Sequence, residues 1–305
     1  MADKNGRDTL YAGIDAGSVS VNCVVIDGGR RLVREYPYMR HMGRVEQTVW
    51  TLIRNLYDDF GGKKLRSISF TGTHGKMLSE VLGAFYEFET ISQVIGAVFL
   101  VPGVRTIISM GGQHTALFQI AHKRGNGNQW ELEYFNTNGP CASGTGSFID
   151  QQAQRLATSM YGTGEDAVSW NIDRILGDFI ELGLKGATPA NVACRCSVFT
   201  KTDMIHLQNK GEKLEDIIYG LHVGNARNYM STIVSNHTLQ KPIIFIGGLS
   251  LNSLQVKAFK NYFPDLIVPG HSSSFGALGV ALQALESGCS AGVDPGRLKD
   301  LGTAH

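Results

Sequence analysis

The sequence predicts an α/β protein built from two related halves. A strand–turn–strand–turn–strand unit spans residues 10–36, and a second unit of the same kind spans residues 105–135. Segments with the apolar spacing of helices follow each unit. Such an internal duplication is typical of two similar α/β domains that face each other across a cleft. We expect the first domain to contain residues 1–103 plus 276–305, and the second to contain residues 104–275.

β-Branched runs bounded by glycine predict the strands, and apolar residues three or four apart predict the helices. Val45, Val49, Leu52 and Leu56, for example, share one helical face. In the first half this patterning predicts strands at 11–14, 19–26, 31–36 and 65–70, and helices at 44–60, 75–84 and 91–100. In the second half it predicts strands at 105–110, 115–120, 130–135, 242–248 and 266–268, and helices at 147–159, 164–184, 197–209 and 214–236. A last helix is predicted at 276–285, in the segment that we assign to the first domain.

Composition limits the classes of function. The chain has 305 residues, 43% of them hydrophobic, with 28 basic and 27 acidic side chains. Such a balanced charge favours neither nucleic acid nor an anionic membrane as a partner. The first ten residues carry no apolar signal core, and no segment reaches the roughly 18–20 apolar residues of a membrane-spanning helix, so we expect a cytoplasmic protein. Five cysteines, an odd number, fit a reducing compartment where cysteine serves metal or redox chemistry.

The first hairpin turn has the composition of a phosphate-binding turn. Asp15 is followed by Gly17, Ser18 and Val19, so a hard oxygen ligand for Mg²⁺ lies beside backbone N–H groups with little side-chain bulk around them. An ordinary hairpin with Asp15 as the turn former is the alternative interpretation.

The second hairpin turn repeats this composition. Gly111 and Gly112 permit close approach to a γ-phosphate, and Gln113 would orient an attacking water. Superposing the two units aligns Met110 with Asp15. An ordinary hairpin remains the alternative here as well.

A third glycine turn follows an apolar strand near the C-terminus. Gly247 and Gly248, with Leu249 and Asn252 after them, suit a nucleotide that lies flat on the backbone, although a helix-entry turn has the same composition. Two phosphate turns followed by an adenosine-type turn is the order found in actin, Hsp70 and sugar kinases. The sequence therefore predicts an actin-like ATPase fold, with duplicated ribonuclease H-like halves and a nucleotide cleft between two subdomains.

Two further segments carry cysteines just before predicted helices. Cys141 precedes the helix at 147–159, and Cys194 and Cys196 precede the helix at 197–209. Free N–H groups and the helix dipole favour negative charge there. An iron–sulfur cluster normally needs four thiolates, so the simplest arrangement is a symmetric dimer whose subunits each give two cysteines to one shared cluster. Buried free cysteines, or a partial zinc site at Cys194 and Cys196, are the alternatives.

These segments resemble the BadF/BadG/BcrA/BcrD-type ATPases, which include activators of 2-hydroxyacyl-CoA dehydratases and relatives in benzoyl-CoA reductase. The resemblance runs from about Tyr11 to Leu285, and its most specific parts are the cysteine segments. The sequences of these segments look most similar to longer, multi-domain members of the family and to reductases of double-cubane cluster proteins. The matching segments are GIDAGSVSVN (13–22), GGQ (111–113), NGPCASGTGSFIDQQAQRL (138–156), CSVFTKTDMI (196–205), IGGLSLN (246–252) and GALGVAL (276–282).

The resemblance implies a homodimer in which Cys141 and Cys196 of each subunit hold one [4Fe–4S] cluster, with Cys194 left open as an alternative to Cys196. The residues of the three turns would bind ATP or ADP and Mg²⁺, and Asp15 and Gln113 would be catalytic. ATP binding and hydrolysis would drive single low-potential electrons from the cluster into a partner iron–sulfur enzyme, such as a double-cubane cluster protein. Ferredoxin or flavodoxin would be the upstream donor.

One motif departs from the family. In the family the second phosphate motif reads Asp-x-Gly-Gly-Gln-Asp. In this chain our superposition puts Met110 and His114 at the positions of the two aspartates. Because methionine offers Mg²⁺ no oxygen, the sequence favours nucleotide binding over rapid hydrolysis, with Asp15 holding the metal alone. Two other functions stay open: a small-molecule kinase of the same fold, and a slow or non-hydrolysing nucleotide-binding regulator.

Overall fold

The structure is a computed structural model that describes residues 8–61, 64–123, 129–139, 144–162, 171–290 and 297. The chain divides into two compact units. One contains Met1–Gly103 and Gly270–His305, and the other contains Val104–Pro269. Within the described ranges, no helix is both long and apolar enough to cross a membrane.

The first unit is a mixed sheet with helices on both faces. Its strands are β1 (Leu10–Ala16), β2 (Ser20–Asp27), β3 (Leu32–Glu35), β4 (Met39–Arg40), β5 (Leu65–Thr71) and β6 (Phe85–Tyr86). Its helices are α1 (Val45–Phe60), α2 (Gly75–Leu82), α3 (Glu89–Leu100) and α9 (Phe275–Glu286). The strand order is β3-β2-β1-β5-β6, with β4 on β2. β1 runs antiparallel to β2 and parallel to β5.

Alternation of side chains along β1 explains the two helical layers. Ala12, Ile14 and Ala16 pack with α1 and α2 in one apolar cluster, whereas Tyr11 packs with α9 in another. On the α9 side, Gly13 leaves no room for a side chain, because an added Cβ would collide with the α9 backbone. This close approach sets the start of α9 on the face of β1 that also carries the side chain of Asp15.

The second unit contains a four-stranded sheet packed against helices. Its strands are β7 (Thr106–Met110), β8 (Thr115–His122), β9 (Trp130–Thr137) and β10 (Ile243–Ile246), in the order β10-β7-β8-β9. Its helices are α4 (Gly146–Tyr161), α5 (Ile172–Leu184), α6 (Ser197–Asn209), α7 (Leu214–Tyr229) and α8 (Ser253–Lys260). Strands β7, β8 and β10 and all five helices contribute to one apolar core.

The two sheets repeat one topology. The order β3-β2-β1-β5 corresponds to β9-β8-β7-β10, with two antiparallel pairs and then a parallel one in each unit. The duplication predicted from the sequence is confirmed at the level of strand order and direction.

Some predicted elements differ from the structure. The helix predicted at 214–236 ends as an α-helix at Tyr229 and continues as a π-helical turn over Met230–Val234. The strand predicted at 266–268 forms only one bridge, between Ile267 and Ile244. The start of the helix predicted at 164–184 lies outside the described residues, and α5 is described from Ile172.

Candidate functional site

The first predicted phosphate turn is the hairpin between β1 and β2. Gly17 N–H donates to Ser20 O at 2.9 Å and closes the turn, leaving Gly17, Ser18 and Val19 partly exposed. Asp15 lies one residue before the end of β1 and is only 8% exposed. The turn therefore presents small residues and backbone groups at its tip, with the carboxylate set below them.

Two glycines make room for the Asp15 carboxylate. An added Cβ on Gly72 would collide with Oδ1, and one on Gly276 would lie 2.5 Å from Oδ2. Gly276 is the second residue of α9, so the carboxylate lies at the positive end of that helix dipole. This arrangement places the Asp15 carboxylate close to the first turn, where a ligand of Mg²⁺ or of its water shell would have to lie.

Two histidines that the sequence analysis did not single out support the first turn. His41 Nδ1 accepts from Gly43 N–H at 3.1 Å, so the proton is on Nε2, which lies 3.2 Å from Gly17 O and donates to it. Burial lowers the pKa of His41 and keeps the ring neutral. His74 N–H donates to Ala16 O at 2.9 Å. These contacts fix the backbone at Ala16 and Gly17, where β1 enters the turn.

The second turn is built in the same way as the first. Gly111 N–H donates to His114 O at 2.8 Å, matching the bond between Gly17 and Ser20. Gln113 is exposed at the tip of this hairpin.

The registers correct the superposition of the two turns. Ala16 is the last paired residue of β1, and Met110 is the last of β7. Met110 therefore corresponds to Ala16, and Ser109 corresponds to Asp15. The sequence-based alignment of Met110 with Asp15 is wrong by one residue, because a Gly-Gly pair can be matched to a single glycine in two ways. An uncharged hydroxyl, rather than a thioether, stands where the first unit has its carboxylate.

The neighbouring parallel strands support the corrected register. Gly72 follows β5 and Gly247 follows β10, and both have a φ of 89°. Gly72 lies against the backbone of Ala16 as Gly247 lies against that of Met110. The same backbone contact thus recurs in each unit and equates Ala16 with Met110.

The third turn continues from β10. Its contact with Met110 brings Gly247 and Gly248 beside the second turn. Leu249 points into the apolar core, so only its backbone could face a ligand. Asn252 Oδ1 accepts from Leu254 N–H and Gln255 N–H, both at 3.0 Å, and caps α8. The Asn252 side chain thus holds the turn in place instead of pointing outward.

A buried polar cluster behind the third turn was also not predicted. His222 Nδ1–H donates to Ile218 O at 2.9 Å, and Nε2 accepts from Asn252 Nδ2 at 3.0 Å. Burial lowers the pKa of His222 to about 4, so the ring is neutral at pH 7. Asn225 and Gln255 extend the cluster through a 3.0 Å bond. A neutral imidazole is the acceptor that keeps Asn252 oriented.

Cys141 lies outside the described residues, but the chain on both sides of it is anchored to the second turn. Before it, Asn138 Nδ2 donates to Gln113 O at 3.0 Å. After it, Gly146 N–H donates to Gly111 O at 2.9 Å and Ser147 N–H donates to Gly112 O at 2.8 Å. The first two N–H groups of α4 are therefore bonded to the glycines of the second turn.

Cys194 and Cys196 have opposite environments. The Cys194 side chain packs into a notch at Gly224 of α7, where any Cβ would collide with the sulfur, and burial raises the pKa of its thiol to about 12. Cys196 is two residues further along and is the N-cap of α6. The backbone N–H groups of Phe199 and Val198 lower the pKa of the Cys196 thiol. Of the two, Cys196 has the accessible sulfur and the thiolate character that metal binding needs.

The surroundings of Cys196 suit a negatively charged group. Cys196 lines a cavity of about 690 Å³ whose walls include Arg195 and Arg227, cations that compensate the charge of thiolates. Among the described residues no group of three metal-ligating side chains exists.

The repeated topology and the three glycine turns define an ATPase of the actin-like fold, and the chain belongs to the BadF/BadG/BcrA/BcrD ATPase family, which it matches over residues 12–284. It is similar to a solved activator of 2-hydroxyisocaproyl-CoA dehydratase from Clostridium difficile with bound ADPNP. That structure has a TM-score of 0.75 and 25% identity, over 92% of this chain and 95% of the other.

Two relatives show the same likeness in sequence. The activator of lactoyl-CoA dehydratase from Anaerotignum propionicum is 28% identical over 277 residues, 90% of this chain and 97% of the relative. The 2-hydroxyisocaproyl-CoA dehydratase activator from Clostridioides difficile is 25% identical over 278 residues, 90% of this chain and 94% of the relative.

Proposed function

We propose that the protein is an ATP-dependent electron donor that activates a partner iron–sulfur enzyme. Two copies of the chain would share one [4Fe–4S] cluster, held by Cys141 and Cys196 of each, and pass single electrons onward. The named activities of the relatives as dehydratase activators support this proposal. By the same resemblance, ferredoxin or flavodoxin would supply the electrons, and a dehydratase-like or double-cubane enzyme would receive them.

One observation carries the proposal. The segment with Cys141 is bonded on both sides to the second phosphate turn, through Asn138 before it and through Gly146 and Ser147 after it. A change in the backbone of Gly111 and Gly112 would therefore shift the described residues on both sides of the Cys141 segment, Asn138 before it and Gly146 after it. A kinase of the same fold has no need of such an anchored cysteine segment.

The residues of each turn have separate tasks in this function. Asp15 would hold Mg²⁺ directly or through water, and Gln113 would orient the water that attacks the γ-phosphate. The nucleotide would be contacted through backbone or hydroxyl groups of the three turns, at Gly17, Ser18, Val19, Gly111, Gly112, Gly247 and Gly248 and at the backbone of Leu249. Asn252 would fix the third turn. A bound cluster would supply a one-electron redox couple. Cys196 would hold it at the start of α6, where backbone N–H groups stabilise negative charge.

A second candidate, a slow or non-hydrolysing nucleotide-dependent regulator, is favoured by Ser109. With a hydroxyl at the position of Asp15 in the second unit, one carboxylate rather than two would act on the metal and the water. This candidate predicts tight ATP binding with negligible turnover, and no electron transfer.

Anaerobic purification tests the proposal. We expect a brown dimer with about four iron and four sulfide per two chains, measured by metal analysis and light scattering. The reduced dimer should reduce an acceptor iron–sulfur protein only when ATP is present. A colourless, iron-free protein would exclude the electron-donor function, and ATP binding without turnover would favour the regulator.

A further inference from the structure

Arg155 on α4 contacts the start of α6. Its Nη1 donates to Ser197 O at 2.7 Å and to Gln152 Oε1 at 3.1 Å. Ser197 is the first residue of α6 and directly follows Cys196, the N-cap. The bond to Gln152, on the same helix as Arg155, holds the guanidinium in one orientation. Arg155 therefore ties the first turn of α6 to α4.

The other end of α4 is bonded to the second turn. Gly146 and Ser147, its first two residues, donate to the carbonyls of Gly111 and Gly112. Arg155 is nine residues after Gly146, about 14 Å along a helix that rises 1.5 Å per residue. A packed helix of this length carries a displacement from one end to the other. Hydrogen bonds at both ends thus connect the glycine turn to the residue that follows Cys196.

We propose that Arg155 is a positioning residue that transmits the nucleotide state of the second turn to Cys196. This inference rests on the proposed function, since it takes the second turn as a phosphate site. A γ-phosphate that draws the backbone of Gly111 and Gly112 toward itself shifts the start of α4. Arg155 then moves the Ser197 carbonyl, and with it the first turn of α6, which begins directly after Cys196.

A second link between the same helices provides a control. Gln208 Nε2 donates to Ser159 Oγ at 3.1 Å, near the end of α6 and twelve residues from Cys196. Removing it also weakens the contact between α4 and α6, but leaves the Cys196 end unchanged. If replacing Arg155 changes the response of Cys196 and replacing Gln208 does not, the change is therefore due to the contact at the Cys196 end of α6.

The test is the alkylation rate of Cys196 in the full-length chain without bound cluster and with its thiols kept reduced. The rate is resolved by peptide mass spectrometry, with and without saturating Mg-ADPNP. Cys289 in the same digest serves as the internal standard. In the wild type we expect the nucleotide to change the rate about fivefold or more. Arg155→Ala should bring this ratio close to one, Arg155→Lys should restore part of it, and Gln208→Ala should keep the wild-type ratio.

The inference is overturned if Arg155→Ala keeps the wild-type ratio, if Gln208→Ala loses it equally, or if bound nucleotide leaves Cys196 of the wild type unaffected. These results do not touch the iron content, which tests the proposed function separately. A wild-type chain that binds no nucleotide would overturn both.

Discussion

Single residues decide how much chemistry the two turns perform. Asp15 and Ser109 occupy equivalent positions on β1 and β7, one residue before the last paired residue of each strand. Their side chains differ in charge but both are buried, with Ser109 only 2% exposed. The second turn thus repeats the backbone geometry of the first while lacking its acid.

Placing an acid at this position should raise ATP turnover. We expect Ser109→Asp to increase the hydrolysis rate several-fold, because it adds a second carboxylate for the metal and the attacking water. Asparagine has nearly the same size as aspartate but no charge, so Ser109→Asn should leave the hydrolysis rate unchanged. Steady-state phosphate release measures both.

Met110→Asp is the contrasting variant. Met110 is fully buried in the core of the second unit, so an aspartate there would be an unpaired buried charge. We expect it to lower the free energy of unfolding by about 3 kcal/mol or more, measured by urea denaturation. A stable Met110→Asp protein with a raised rate of ATP hydrolysis would instead support the alignment of Met110 with Asp15, which the strand registers contradict.

Sequence patterns single out candidate residues where a local motif carries them, and miss residues whose role depends on a contact. The glycine turns and the cysteine segments are visible in the chain itself. The difference between Cys194 and Cys196 comes from Gly224, thirty residues away from Cys194 in the chain. His41 and His222 act through hydrogen bonds to backbone and amide groups. These bonds do not depend on a fixed spacing in the sequence, so sequence patterns could not identify the two histidines.

At the scale of elements, close approaches between helices and strands place the functional groups. α9 lies against β1 because Gly13 has no side chain, and this brings Gly276 to the Asp15 carboxylate. Periodicity predicted that α9 exists, but not which strand it would cover. Gly13 in the middle of β1 is the sequence signal that could have shown that a helix packs closely on this strand.

The glycine at the start of α9 gives a direct test of the Asp15 site. In Gly276→Ala the new Cβ would lie 2.5 Å from Oδ2 and displace the carboxylate. We expect Mg-ATP to bind at least about tenfold more weakly, since overpacking of this kind costs about 1–3 kcal/mol. Gly177→Ala, on an exposed face of α5 with no atom within 4 Å of the added Cβ, is the matched control. Calorimetry showing equal affinity for both variants would contradict the role of Asp15.

The polar cluster behind the third turn predicts a pH dependence of stability. The pKa of His222 is about 4 in the folded protein against an ordinary 6.5, so below pH 6.5 the unfolded chain binds a proton that the folded chain does not. The contribution of His222 to the free energy of unfolding is therefore complete above pH 6.5 and is lost progressively toward pH 4.

A His222→Gln variant isolates this contribution. The difference in unfolding free energy between wild type and variant should shrink by on the order of 2 kcal/mol between pH 7.5 and pH 5. Urea denaturation at several pH values measures it. A difference that stays constant with pH would mean that His222 has the same pKa in the folded and unfolded chains, which would contradict this prediction.

At the scale of the whole molecule, duplication explains why the strand pattern could be predicted. Each unit repeats the same four strands, so the hydrophobic pattern of one half supports the interpretation of the other. The α-helical ends and the short strands β4 and β6 escaped prediction because packing, rather than local sequence, sets them.

The central claim is that one redox centre, shared by two copies, responds to ATP. Its most direct measurement is electron paramagnetic resonance of the dithionite-reduced anaerobic protein, with and without ATP. We predict a cluster signal that changes when ATP is added, is absent in Cys196→Ala and in Cys141→Ala, and persists in Cys194→Ala. A cluster signal that does not change when ATP is added, or one that is still present in Cys196→Ala, would contradict the claim of an ATP-responsive cluster held by Cys196.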